Sequence, residues 1–375
     1  MANRPPAEIG MPLAEVDTPA LIIDLDAFER NLRALPAKIA DKPVKLRPHS
    51  KTHKTPIIAL KQMALGAVGV CCQKVSEAEA LVAGGVSDIL VANEVVGSIK
   101  LNKLAALARH ASIGVCVDDA GNIADLEDAA VQFDAHIKVL IEIDVGAGRC
   151  GVAPGEAALV LAQTLARSKH LQFDGLQAYQ GSAQHIRSHD ERRQAIERAV
   201  AHASRTKALI ESHGIACPRI TGAGTGSFEF EAASSVYTEL QCGSYVFMDA
   251  DYNRNLDAGG QAQPQFDQSL FIWTTVMSRP TPDRAVVDAG LKALSIDSCL
   301  PVVTDYPEVN YARASDEHGK LEIRNPSQEG FDVGDKIRLT PGHCDPTVNL
   351  YDWYVGVRGQ RVECLWPVAA RGALT

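Results

Sequence analysis

From Pro19 to about Asp249 the chain repeats one unit, a short run rich in β-branched residues followed by a longer stretch rich in alanine and charge. That alternation is the signature of strands and helices wound around a parallel sheet. The runs expected as strands are Ala20 to Asp24, Lys45 to Pro48, Val68 to Val70, Asp88 to Val91, Ser112 to Cys116, Ile137 to Ile143, Phe173 to Tyr179 and Arg219 to Thr221. Eight strands spread this way point to the α/β class and a (β/α)8 TIM barrel, with an open doubly wound sheet as the alternative. Beyond about residue 255 the alanine-rich stretches stop. Short strands separated by Gly, Pro, Asp and Asn take over, among them Leu270 to Met277, Arg284 to Asp288, Lys336 to Leu339, Trp353 to Val357 and Arg361 to Trp366. The expected division is a barrel over 20–254 and a C-terminal β domain completed by 1–19 and 255–375.

At 375 residues the chain exceeds what one hydrophobic core usually supports, which agrees with two bodies. Its 37 basic and 46 acidic residues give a net charge of −9 without a Lys/Arg block, which excludes the usual nucleic-acid footprint. With no apolar run of spanning length and no signal-like N-terminus, a cytoplasmic protein without membrane partners is expected. The nine cysteines show no paired Cys-x2-Cys spacing and read mostly as reduced core residues.

Three segments could carry chemistry. Arg47-Pro48-His49-Ser50-Lys51-Thr52-His53-Lys54 directly follows an expected strand, at the end where barrels place catalytic groups. A lysine crowded by other cations and partly desolvated becomes nucleophilic and could condense with an aldehyde cofactor; a solvated basic loop would look the same. Gly222-Ala223-Gly224-Thr225-Gly226-Ser227 and Gln241-Cys242-Gly243-Ser244-Tyr245 follow the last expected strands, where barrels bind phosphate through backbone N–H groups, although glycine-rich turns also serve as plain loops. In Gly342-His343-Cys344-Asp345-Pro346, an extended backbone would put the imidazole and the carboxylate on one face with Cys344 turned away. One nitrogen and one hard oxygen suit a divalent metal, though two ligands alone do not make a site.

In combination these segments resemble the D-threonine aldolase and D-3-hydroxyaspartate aldolase family, within the alanine-racemase-like, fold type III pyridoxal-phosphate enzymes. The resemblance runs over nearly the whole chain and rests on Asp17-Thr18-Pro19, Arg47 to Lys51, Gly69 to Ala78, Glu142 to Gly151, Gly243 to Asp249, Val287 to Lys292 and Gly342 to Thr347.

The resemblance implies a head-to-tail homodimer with active sites at the subunit interface, pyridoxal 5'-phosphate carried by Lys51, and Lys54 as a neighbour only. It implies Arg149 opposite the pyridine nitrogen, Tyr179 and Gln180 beside the ring, and phosphate contacts from Gly222, Gly224, Thr225, Gly243 and Ser244, with Tyr245 adjacent. His343 and Asp345 would hold Mn2+ or Mg2+, or else Zn2+. His185 is the expected acid–base group, with metal-bound hydroxide as the alternative base; Gln73 and Lys74 could meet substrate, and Asp316, Glu317 and His318 could approach the metal. The implied reaction is cleavage of a small D-3-hydroxy amino acid to glycine and an aldehyde. The competing expectations are a dehydratase using the same cofactor and metal, disfavoured because D-serine dehydratases carry Cys where this chain has Asp345, and a non-catalytic cofactor carrier, disfavoured by the extra β domain.

Overall fold

A computed structural model describes residues 4–262, 264–325 and 331–375. Among these, eight parallel strands form one sheet: Lys45–Leu46, Val70–Cys72, Asp88–Glu94, Ser112–Val117, Ile137–Glu142, Leu171–Gln177, Arg219–Gly222 and Glu239–Leu240. Every ladder within it is parallel, and the ring closes where His49 bridges Cys71 and where Val68 N–H donates to Leu46 O at 2.9 Å. This is the expected TIM-like barrel.

Alternation along the strands explains both the β-branched runs and the cysteines. Val70, Ile89, Val91, Val115, Val139 and Ile141 face outward into the helix layer, whereas Cys71, Leu90, Ala92, Cys116 and Leu140 fill the barrel interior. All nine cysteines are free, and six of them are buried. No helix among the described residues is long and apolar enough to cross a membrane.

The first expected barrel strand is not in the barrel. Ala20–Asp24 lies in the second sheet, antiparallel to Leu270–Thr281 (Ala20 opposite Trp273) and parallel to Trp353–Arg358 (Leu21 opposite Tyr354). Its apolar run misleads because both faces are covered: Leu21 and Ile23 join the larger core, while Ala20 and Ile22 pack with Phe271, Trp273 and Val355. The chain enters the barrel only after the helix Leu25–Lys38, whose first turn is capped by Asp24 Oδ1 accepting from Ala27 N–H at 3.0 Å. The eighth barrel strand is instead Glu239–Leu240, a two-residue strand with no periodicity to read.

Among the described residues the second sheet contains nine strands, including Val302–Val303, Val309–Ala314 and Gly319–Ile323 in addition to those expected. The segment Gly342–Asp345 is not extended throughout. His343 is extended (φ −144°, ψ 123°), but Cys344–Val348 forms a short helix. Asp249 Oδ2 accepts the Cys344 N–H at 3.0 Å, Thr347 Oγ donates to His343 O at 2.8 Å, and Pro346 sits in the first turn, where its missing N–H costs nothing.

Candidate active site

Because all eight barrel strands run the same way, the residues that follow them collect at one end. Lys51 follows Lys45–Leu46 in the turn Ser50–Thr52, which is pinned by Ser50 Oγ donating to Cys71 O at 2.6 Å. Lys51, Arg149, Tyr179, Gly224, Thr225, Gly243 and Ser244 line one cavity. Gly222 does not; it ends its strand behind the cavity, where a Cβ would fall 2.5 Å from Ala178 O.

The β domain reaches this cavity through Asp345, whose Oδ2 lies 3.1 Å from Lys51 Nζ. The Asp345 carboxylate raises the Lys51 pKa against the opposing effect of burial. Burial would raise the Asp345 carboxyl in turn, but the charges of Lys51 and His343 overrule it and hold Asp345 well below the usual range. For His343, burial lowers the pKa, and Asp345 and Asp297 more than offset it. His343 Nδ1 lies 2.8 Å from Asp297 Oδ2, an orienting carboxylate absent from the sequence reading. Among the described residues no group of three or more His, Cys, Asp or Glu gathers as a metal cage.

Arg149 is about half exposed, 3.4 Å from Glu142 Oε1 and 5.7 Å from the Tyr179 ring centroid. The two small-residue turns both line the cavity, and the Thr225 hydroxyl is buried without a partner among the described residues, an open donor where an anionic group would fit. The glycines there also leave room for neighbouring segments. A Cβ at Gly224 would approach Gln184 Oε1 to 2.4 Å, and one at Gly243 would approach Thr52 Oγ to 2.5 Å. They allow the turns to pack against neighbouring segments, and Gln184 uses that room to accept Gly226 N–H at 2.9 Å.

Lys54 stays out of the cavity, buried in an ion pair with Glu77 at 2.6 Å. Gln73 lines the cavity, its amide 2.8 Å from His49 Nε2, and Lys74 precedes the helix Val75–Ala83. Gln180 is buried and bonded by Ser182 Oγ at 2.8 Å; Tyr245 is buried with its hydroxyl accepting from Gln62 Nε2 at 3.1 Å. Glu317 pairs with Lys292 in an exposed turn, and no described hydrogen bond or ion pair joins Asp316, Glu317 or His318 to His343 or Asp345. His185 does not line the cavity. Its Nδ1 lies 2.7 Å from Asp251 Oδ2, and Asp251 N–H donates to Gly342 O at 3.2 Å, beside His343. Sequence reasoning missed His49, Asp251 and Asp297, whose partners are remote in the chain.

Two family models match, "Alanine racemase, N-terminal domain" over 23–251 and "Putative serine dehydratase domain" over 269–357. The chain is 50% identical to a D-threonine aldolase of Arthrobacter sp, covering 99% of this chain and 97% of that one. It is 48% identical to a 3-hydroxy-D-aspartate aldolase of Paracoccus denitrificans (strain Pd 1222), covering 98% and 95%. The crystal structure of a D-threonine aldolase from Filomicrobium marinum, 51% identical, superposes with a TM-score of 0.96 over 100% of both chains.

Proposed function

The chain belongs to the family of D-threonine and 3-hydroxy-D-aspartate aldolases, and on that premise we propose that it is a metal-activated, pyridoxal 5'-phosphate-dependent aldolase that splits D-3-hydroxy amino acids into glycine and an aldehyde. The observation that supports the reading is the meeting of Lys51 and Asp345 at 3.1 Å, which brings together an amine that would hold the cofactor and a carboxylate that would bind a metal.

The residues present fit the cofactor. Lys51 would hold its aldehyde carbon, Arg149 and Tyr179 would border its ring, and the turns bearing Gly224, Thr225, Gly243 and Ser244 would take its phosphate, with the unpartnered Thr225 hydroxyl ready to donate. Bound there, pyridoxal phosphate supplies an electron sink for the pair released when the Cα–Cβ bond breaks. Arg149 would face the ring nitrogen, and a guanidinium, which can donate but not take up a further proton, would favour the unprotonated form of that nitrogen.

His343 and Asp345 fit a divalent ion, Mn2+ or Mg2+ in preference to Zn2+, that would make the substrate's 3-hydroxyl more acidic. Asp297 orients His343 through Nδ1 and leaves Nε2 for such a ligand. His185, outside the cavity lining but tied through Asp251 to Gly342 beside His343, would take the 3-hydroxyl proton, and the Cα–Cβ bond would then break to release the aldehyde. The reading extends to a cytoplasmic homodimer with its sites at the subunit interface; the Lys51 side chain, 41% exposed in the single chain, leaves the cavity mouth open to a partner.

The reading is tested by supplying D-threonine, D-3-hydroxyaspartate and D-serine to the purified holoprotein. Glycine plus an aldehyde supports aldol cleavage, whereas ammonia plus a 2-oxo acid would establish dehydration in its place.

A further inference from the structure

We propose that Asp251 is the positioning residue that fixes the proton on Nδ1 of His185, so that Nε2 presents its lone pair as the proton acceptor. The inference rests on the reading of His185 as the base and adds the group that sets its tautomer.

Asp251 is almost fully buried. Its Oδ1 accepts from the guanidinium of Arg187 and from Arg254 Nη2, the latter at 2.6 Å, and its Oδ2 faces His185 Nδ1 at 2.7 Å. A carboxylate held by two guanidinium groups is ionised and can only accept. The ring nitrogen facing it must therefore carry the hydrogen, and a neutral imidazole has only one to give.

The surrounding bonds fix this geometry. Arg187 Nη1 donates to Asp251 O and to Asn255 Oδ1, both at 2.7 Å, and Asn255 Nδ2 donates to Gln184 O at 3.1 Å. The buried Arg192 donates to Ile186 O at 2.7 Å, Arg187 O at 3.0 Å and Leu256 O at 2.9 Å. Leu256 N–H closes the set on Arg187 O at 2.9 Å. The histidine turn and the aspartate segment are thus stitched into one unit. Ala250 N–H to Pro341 O at 2.9 Å and Asp251 N–H to Gly342 O at 3.2 Å place that unit beside His343.

Asp251→Asn separates positioning from stapling. The asparagine Oδ1 can still accept from Arg187 and Arg254, so its amide turns toward His185 and requires a bare Nδ1, which moves the hydrogen to Nε2. With the holoenzyme and D-threonine, kcat should fall on the order of 10²-fold or more while KM and the cofactor's visible absorbance stay near wild type. In a His185→Ala background the same change should cost less than about twofold further. ¹⁵N shifts of the labelled His185 ring should show Nδ1–H in the wild type, a readout independent of turnover and available even if Asp251→Asn folds poorly. Nε2–H in the wild type, or an undiminished loss from Asp251→Asn without His185, overturns the inference. Full activity of His185→Ala instead overturns the reading of the base, while the ring shifts still decide the tautomer.

Discussion

Lys51 sits in the turn that follows the barrel strand Lys45–Leu46 and Asp345 in the first turn of a short helix of the β domain, yet Lys51 Nζ lies 3.1 Å from Asp345 Oδ2. Neither body alone contains the pair. The barrel supplies the amine and the small-residue turns, and the β domain supplies the carboxylate and His343. The proposed chemistry, which needs both a covalently held cofactor and a polarised hydroxyl, would draw on both bodies.

Lys51→Ala should abolish the visible absorbance of the purified protein and its activity. Lys54→Ala should behave differently, because Lys54 neutralises Glu77 in a buried pair whose other oxygen accepts Gln73 N–H at 2.8 Å. It should lose about 3–5 kcal/mol of stability in denaturant titrations, while the folded fraction keeps its absorbance. A borohydride-reducible adduct retained by Lys51→Ala would falsify the assignment of the lysine.

Gly224→Val should drive Gln184 from its place, since the new Cβ would lie 2.4 Å from Gln184 Oε1. That releases Gly226 N–H and the Ser227 hydroxyl, to which Gln184 Nε2 donates at 2.7 Å. The phosphate turn should loosen. Titrations should show affinity for pyridoxal phosphate falling much further than affinity for pyridoxal; equal losses would indicate general misfolding.

Burial pushes the Glu231 carboxyl up to about 8, against the bond from Ser227 Oγ, and its second oxygen has no partner among the described residues. The folded state thus holds a proton that the unfolded chain releases near its ordinary carboxylate pKa of 4.5. Between those values the native state binds more protons, so stability falls as pH rises, at about 1.4 kcal/mol per pKa unit of difference. Glu231→Gln removes this penalty. Urea midpoints of the variant should gain on wild type steadily from pH 5 to pH 8, and a constant offset would show that Glu231 is ionised in the native protein.

Strand–helix alternation made most of the barrel legible, and the polar cluster after Leu46 marked a lysine-bearing loop at the right end of the barrel, in which only the family resemblance singled out Lys51. Ala20–Asp24 was misplaced because a strand buried on both faces carries no mark of which sheet it joins; its partners Trp273 and Tyr354 lie hundreds of residues away. The helical turn after His343 depends on Asp249 as a remote cap, so local spacing suggested an extended run. Asp251 and Asp297 were invisible for a related reason. They pair with His185 and His343 across 66 and 46 residues, and nothing in a single carboxylate's neighbourhood announces such a contact.

The central claim is that Lys51 and the His343–Asp345 pair perform separable tasks at one site, and chelation of the holoenzyme tests it most directly. Metal removal should stop release of glycine and aldehyde from D-threonine while the cofactor's visible absorbance persists, and Mn2+ or Mg2+ should restore turnover in the wild type but not in Asp345→Ala. Full turnover by protein shown to be free of metal, or by the His343→Ala and Asp345→Ala variants, would contradict it.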